Sequence, residues 1–307
     1  MIAVHDPAEV EHRWPQFLAE SQPSVIIGGW DMPPLPPRSA LPASISPLPH
    51  YLCYLAGSVR GKVPRDWIEH GLVVSNWGGS ISHVVAESAL MMILSALRCV
   101  ADSQHRLHRP TEDWRHASRP ERSLFHRRVG IHGFGKVAQS LMPLLKPFNV
   151  RVRTYAPGTP DSVLSKCDVE ACRSLPELFE WSEVFAEAAP LNPQTQGVVD
   201  AKLLRLLPPG AVFVNIGRGQ IVIEDDLLQV AKERNLRLAL DVFETEPLPA
   251  DSPLRKSTDI LLMPHQAGPT LDRCRDAGTF ALQQVSHFLS GNRPESAIDL
   301  AAWDSIT

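Results

Sequence analysis

The chain has 307 residues with a formal net charge of -4 at pH 7 and a sequence pI near 6.3; 44% of the residues are hydrophobic and 21% charged. That length exceeds what one hydrophobic core usually serves, so two packed domains are expected. The mild acidity, with the arginines between Arg106 and Arg128 interleaved among acids and apolar residues, argues against a nucleic-acid partner, which would need a basic stripe.

The opening MIAVHDPAEVEHRW has no apolar core behind a basic start, and no uncharged apolar run is long enough to cross a bilayer. A cytoplasmic protein without a membrane partner is therefore expected. Met1 to Val4 offers a first strand ahead of the helix-like AEVEHRWPQFLAE. The runs SVIIGG, HYLCYLAG and GLVVSN then read as buried parallel strands. Between the first two lies MPPLPPRSALPASISPLP, whose prolines lack the donor that a helix or ladder needs, so an irregular surface loop is expected.

From His83 to Arg98 an apolar stretch without Gly or Pro predicts a long buried helix, placed within one subunit or at an interface. Downstream, RRVGIHG, VRVRTY, EVFAEAA, GAVFVNIG, LRLALDVF and DILLMPH alternate with helical or loop segments, the pattern of a doubly wound α/β sheet. LDRCRDAGTFALQQVSHFLSG predicts a last helix ending at Gly291. Cys53, Cys99, Cys167, Cys172 and Cys274 form an odd set without a CxxC pair, which suits reduced structural thiols and no metal site.

Where the strand RRVGIHG meets a helical stretch the sequence reads GFGKVA, a GxGxxA pattern with small residues at Gly133, Gly135 and Ala138. Small residues permit a tight turn and close approach to a pyrophosphate held by helix N-terminal amides, so Gly133, Phe134, Gly135, Lys136, Val137 and Ala138 are candidate cofactor contacts. The next strand ends at Tyr155 and Ala156, where an acid would normally meet the adenosine ribose. Ala156 makes no such contact and repels no 2′-phosphate; Arg153 lies just before it. NAD and NADP both stay open.

Three later segments end strands of the same sheet, where ligands of open α/β folds gather. They are NIGRG around Arg218, DVFETEPLP from Asp241 through Glu246, and MPHQAGPT around His265. With SNWGGSISHVVAE and SLPELFEWSEVFAEAAPLNPQT, these make the chain resemble the D-2-hydroxyacid dehydrogenase family from about Leu52 onward. The resemblance implies a Rossmann-type doubly wound domain over 79–267 and a smaller flavodoxin-like α/β substrate domain over 1–78 and 268–307. It implies hydride transfer between a nicotinamide cofactor and a small 2-hydroxy or 2-keto acid.

In that chemistry the Arg218 guanidinium binds the substrate carboxylate and polarises the ketone. His265 exchanges the proton, and Glu246 holds the imidazole and favours its protonated form. The resemblance further implies that Asp241 accepts from the nicotinamide carboxamide, with a loop cap as the alternative, and that Pro190, Thr195, Ile216, Gly217 and Gly268 line the cofactor.

Three positions depart from the family pattern. In LAGSVRG, Ala56, Gly57 and Ser58 still offer backbone amides to a substrate carboxylate, but Arg60 replaces the usual acid, pointing to a different loop anchor or an added cation. Trp77 replaces a smaller residue and either caps the pocket or packs structurally. Ala188 stands where a histidine is common. The alternatives are an NADPH-dependent glyoxylate or hydroxypyruvate reductase and a cofactor-gated regulatory protein without turnover. Formate oxidation fits less well, because the resemblance there pairs the histidine with glutamine and this chain has Glu246. The helix from His83 suggests a homodimer.

Overall fold

Short runs of β-branched and aromatic residues become strands in this chain, whose computed structural model describes Asp6 and residues 13–45, 48–108 and 120–305. The strand expected over Met1 to Val4 lies outside the described residues. In chain order the described strands are β1 (Val25–Gly28), β2 (Tyr51–Tyr54), β3 (Val73–Ser75), β4 (Arg128–His132), β5 (Arg151–Tyr155) and β6 (Glu170–Ala171). They continue as β7 (Val184–Glu187), β8 (Val212–Asn215), β9 (Arg237–Leu240), β10 (Leu261–Leu262) and β11 (Ala297–Ile298). The chain divides into two compact units, Met1–Ile81 with Leu271–Thr307, and Ser82–Thr270.

The discontinuous unit carries a four-stranded sheet in the order β1-β2-β3-β11. Its first three strands are parallel, and β11 returns antiparallel to β3. Leu18 from the helix Trp14–Ser21, Leu52, Trp67 and Val74 form the centre of its core. The proline-rich segment corrects the expectation of a surface loop, because Met32, Leu35 and Ile45 turn into that core, Leu35 with 2% exposure. Prolines deny the segment a ladder but leave its carbonyls as acceptors. Lys62 Nζ donates to Met32 O (2.7 Å) and Trp67 Nε1 to Pro36 O (2.8 Å).

The same unit explains Arg60. Its Nε donates to Trp303 O (3.1 Å), its Nη2 to Asp304 O (2.9 Å), and the guanidinium lies 5.0 Å from the Trp303 ring. Arg60 thus anchors the last helix, Leu300–Ser305, by charge-assisted hydrogen bonds at its carbonyl end and by a cation–π contact. Trp77 packs against this core with its ring 6.0 Å from that of Trp30.

The continuous unit carries a seven-stranded sheet, order β10-β9-β8-β7-β4-β5-β6, with every pairing parallel. Both faces are covered, so β7, β8 and β9 are buried at every residue and are apolar but for one terminal residue each, Glu187, Asn215 and Arg237. Val129, Ile131, Val184 and Val214 face one core; Phe185, Phe213, Leu238 and Leu240 face the other. The helix Ser82–Leu97 buries Ala86, Ala89, Met92 and Ile93 in the first core beside Ala138, Leu141 and Leu145 of the helix Lys136–Leu145. Its apolar character is therefore largely accounted for inside the unit. No single helix among the described residues is long and apolar enough to cross a membrane, and no two of the cysteines form a disulfide.

The central pair β4 and β7 is pinned at its amino end by Glu183, which accepts from Arg127 Nη1 (2.7 Å) and Arg128 N (3.2 Å). Burial pushes the Glu183 carboxyl up, but these donors outweigh it and the net displacement is downward. A depressed carboxyl contributes stability above its unfolded pKa, and that contribution is lost as pH falls through the folded value. Glu183→Gln is expected to cost about 1 kcal/mol in urea unfolding at neutral pH, and the gap to the unmodified protein is expected to close on acidification. A gap that stays constant would show that the carboxylate charge is not the source.

Candidate functional site

At the carboxyl edge of the seven-stranded sheet, each strand hands over to a loop whose amides need acceptors. After β4, Gly133 takes φ +82, and a Cβ there would meet Ala189 Cα at 2.7 Å and Ala188 O at 2.9 Å. Only glycine fits both the left-handed backbone and the close approach. The helix Lys136–Leu145 follows, with Gly135 as an extended N-cap that offers no side-chain acceptor, and nothing lies within 4 Å of a Cβ built on it.

The N-cap glycine of this ten-residue helix thus borders open space, and first-turn amides have no acceptor within their own helix, an arrangement that fits a pyrophosphate. Ala138 packs in the core and lets the helix sit close to the sheet. The Phe134 side chain corrects one expectation: it is 4% exposed and belongs to the core, so only its backbone is available to a ligand. Lys136 is exposed and Val137 half-buried. Tyr155 ends β5 and Ala156 follows it, both half-buried. Arg153 is engaged by Glu170 (2.8 Å) and stacks 4.8 Å from the Trp181 ring.

After β7, Thr195 Oγ1 donates to Pro190 O (2.6 Å), which closes the loop they share. After β8, Asn215 Oδ1 accepts from Gly217 N (3.1 Å) and its Nδ2 donates to Arg218 O (3.2 Å), so the strand's last side chain shapes the arginine loop. Ile216 is buried, and Arg218 Nη1 donates to Gly217 O (2.7 Å). A Cβ on Gly219 would fall 1.8 Å from Phe243 C and 2.5 Å from Glu244 N. The arginine loop therefore lies directly on the backbone that leads to Glu246. Burial draws the Arg218 pKa down, and the charge of Glu246 acts in the opposite sense.

After β9, Asp241 organises the histidine loop. Its carbonyl accepts from His265 N (2.8 Å), Oδ1 from Gln266 N (2.8 Å) and Oδ2 from Ala267 N (3.0 Å). Burial raises the Asp241 pKa, opposed by those two side-chain bonds and by the charge of His265. Asp241 thus caps this loop, and a carboxylate that accepts two amides keeps lone pairs for a further donor. Its grip holds His265 at φ +53, a conformation that costs a non-glycine residue on the order of 1–3 kcal/mol and that clusters at functional sites.

His265 Nδ1 meets Glu246 Oε2 at 2.7 Å, and Glu246 Oε1 accepts from Phe243 N (2.9 Å). Gly268 sits against Val85, 3.0 Å from a built Cβ. Arg218, Glu246 and His265 are thus gathered in one unit, Glu246 in contact with His265 and acting by charge on Arg218. Ala56, Gly57, Ser58 and Trp77 belong to the other unit, where Asn76 Nδ2 donates to Gly57 O (2.8 Å) and Trp77 N to Ala56 O (3.4 Å).

The sequence does not single out His132, Glu187, Asn215 or Gly219. Each polar one closes an otherwise apolar run, which is the signal that marks it. His132 Nδ1 and Glu187 Oε2 lie 2.7 Å apart.

A family model described as "D-isomer specific 2-hydroxyacid dehydrogenase, NAD binding domain" matches residues 90–267. D-3-phosphoglycerate dehydrogenase of Methanocaldococcus jannaschii is 29% identical over 233 residues, 76% of this chain and 44% of that protein. This chain spans less than half the length of that relative. Glyoxylate reductase of Aeropyrum pernix is 27% identical over 235 residues, covering 75% of this chain and 70% of that protein. In fold, the chain is similar to the crystal structure of a glyoxylate reductase from Paecilomyes thermophila, with a TM-score of 0.80, 19% identity, and 94% and 88% of the two chains covered.

Asp241→Ala leaves the amides of Gln266, an exposed residue, and of Ala267, a buried one, without their acceptor, and the buried orphan costs about 1–3 kcal/mol. Thermal unfolding is expected to show a clear loss of stability, with Asp241→Asn, which keeps one acceptor oxygen, falling between. Equal stability of all three proteins would mean that these bonds do not hold the loop.

Proposed function

The chain belongs to the D-isomer specific 2-hydroxyacid dehydrogenase family, and from that premise we propose that it transfers hydride between a nicotinamide cofactor and a small 2-hydroxy or 2-keto acid. The observation that carries the reading is the grouping of Arg218 and the His265–Glu246 pair on loops at the sheet edge that also bears the glycine turn.

The proposed cofactor contacts are the backbone from Gly133 to Ala138, then Tyr155, Ala156, Pro190, Thr195, Ile216, Gly217, Gly268 and Asp241, the last accepting from the nicotinamide carboxamide. When bound, a reduced nicotinamide supplies hydride to the carbonyl carbon of the keto acid. Arg218 binds the substrate carboxylate with its fork of donors and draws electron density toward the carbonyl oxygen. Because Glu246 engages Nδ1, proton exchange with that oxygen falls to Nε2 of His265. The Glu246 carboxylate stabilises the imidazolium while it carries the proton and fixes the plane of the ring. In the oxidative direction the neutral imidazole takes the hydroxyl proton. Ala56, Gly57, Ser58 and Trp77 are proposed substrate contacts on the strength of the sequence pattern.

A narrower reading, an NADPH-dependent glyoxylate or hydroxypyruvate reductase, is favoured by Ala156, which sets no carboxylate against a 2′-phosphate. It is decided by steady-state rates with both reduced cofactors; a strong preference for NADH would remove it. A homodimer involving the helix Ser82–Leu97, on which Met91 is exposed, belongs to the same proposal. Light scattering that reports only monomer would eliminate it.

His265→Ala is expected to lower kcat by about 10²–10⁴ while cofactor binding persists. Arg218→Lys keeps the charge but loses the fork, and kcat/KM is expected to fall about tenfold to a hundredfold, mainly through KM. Failure of the unmodified protein to reduce any member of a broad 2-keto acid panel, with cofactor bound, would favour a regulatory protein without turnover.

A further inference from the structure

The continuous unit holds a second imidazole–carboxylate pair that the proposed chemistry does not use. His132 ends β4 and Glu187 ends β7, directly opposite each other in the parallel register. They are 4% and 0% exposed, and Nδ1 of the histidine lies 2.7 Å from Oε2 of the glutamate. The other carboxylate oxygen, Oε1, accepts from Ala189 N at 2.9 Å. On the far side of His132, Tyr155 of β5 lies in register, its ring 6.1 Å away and inclined by 27°.

Stability alone is a weak reason for such a pair, since apolar residues of similar size commonly hold two buried strands at least as well. What a carboxylate adds is direction. Oε1 fixes the orientation of the 188–189 peptide, and the Nδ1 contact fixes which way Oε1 points. That peptide is the wall against which Gly133 rests, with Ala188 O and Ala189 N each 2.9 Å from a built Cβ. Gly217 leans on the same backbone, 3.1 Å from Ala189 O by the same measure. Burial pushes the His132 pKa down, but the Glu187 carboxylate outweighs it and the net displacement is upward, which favours an imidazolium donor.

We propose that His132 and Glu187 are positioning residues for dinucleotide binding, holding the glycine turn and the 188–190 segment in register so that cofactor affinity depends on them. The inference rests on the reading that Gly133 to Ala138 hold a dinucleotide. Neither side chain performs a chemical step; His132 acts on Glu187, Glu187 on the Ala189 amide, and that peptide on the turn.

The experiment titrates NADH and NADPH into the purified full chain by fluorescence and follows the cofactor KM and kcat with a reducible keto acid. Glu187→Gln and His132→Ala are expected to raise Kd about tenfold, with KM rising alongside and kcat falling much less. His132→Asn, whose amide can reproduce the Nδ1 donor, should regain most of the affinity. The double variant His132→Leu with Glu187→Leu, which leaves the Ala189 amide without its acceptor, should remain folded with a modestly lowered melting temperature and bind cofactor weakly.

Cofactor binding by the double variant as tight as that of the unmodified protein would overturn the proposal and leave the pair a packing feature. So would equal loss in His132→Asn and His132→Ala. Absence of cofactor binding by the unmodified protein would instead sink the dinucleotide reading, and this inference with it.

Discussion

Glu187, Asn215 and Asp241 accept the backbone amides of Ala189, of Gly217, and of Gln266 with Ala267, each from the loop that its side chain caps, and Arg218 and His265 hang on two of those loops. A parallel sheet delivers all its strand ends to one edge, and there the ladder stops while the amides continue. A buried amide left without an acceptor costs about 1–3 kcal/mol, so the loops cannot wander without breaking their caps. Arg218 and His265 inherit their positions from this row of caps. The same edge gathers the ligands of open α/β sheets in general.

One local strain and one close approach sharpen the arrangement. The backbone of His265 sits in a region that a side chain disfavours, and Gly219 lies on the Phe243–Glu244 backbone with no room for a methyl group. Neither would persist on an isolated loop. Both survive because Asp241 grips one loop and Asn215 the other, which lets Glu246 address His265 by contact and Arg218 by charge. The rigidity of the strands is thereby passed on to groups that lie beyond them.

What the sequence made legible was periodic or local. The apolar runs fix β1 to β5 and β7 to β9 in kind, and GFGKVA announces the turn because its spacing is itself the mechanism. That Arg218, Glu246 and His265 sit on loops beyond strands could be read because each follows an apolar run. Partnerships across the chain could not. His132 and Glu187 meet only through the register of β4 with β7, and Arg60 finds its acceptors at Trp303 and Asp304, near the far end of the sequence. The two-residue strands β6 and β11 are too short to show a period. The proline-rich segment misled for a different reason: proline content reports on backbone donors and says little about which way neighbouring side chains turn.

The discontinuous unit draws its fourth strand, and the helix that Arg60 anchors, from sequence that follows the whole of the continuous unit. During synthesis the ribosome therefore releases a complete seven-stranded domain while its smaller companion still lacks β11, with the flank of β3 unpaired. An unpaired strand flank is a template for wrong partners. The order of emergence makes the smaller unit the one in need of shielding, and the interval before β11 appears the moment when it is most exposed to mispairing.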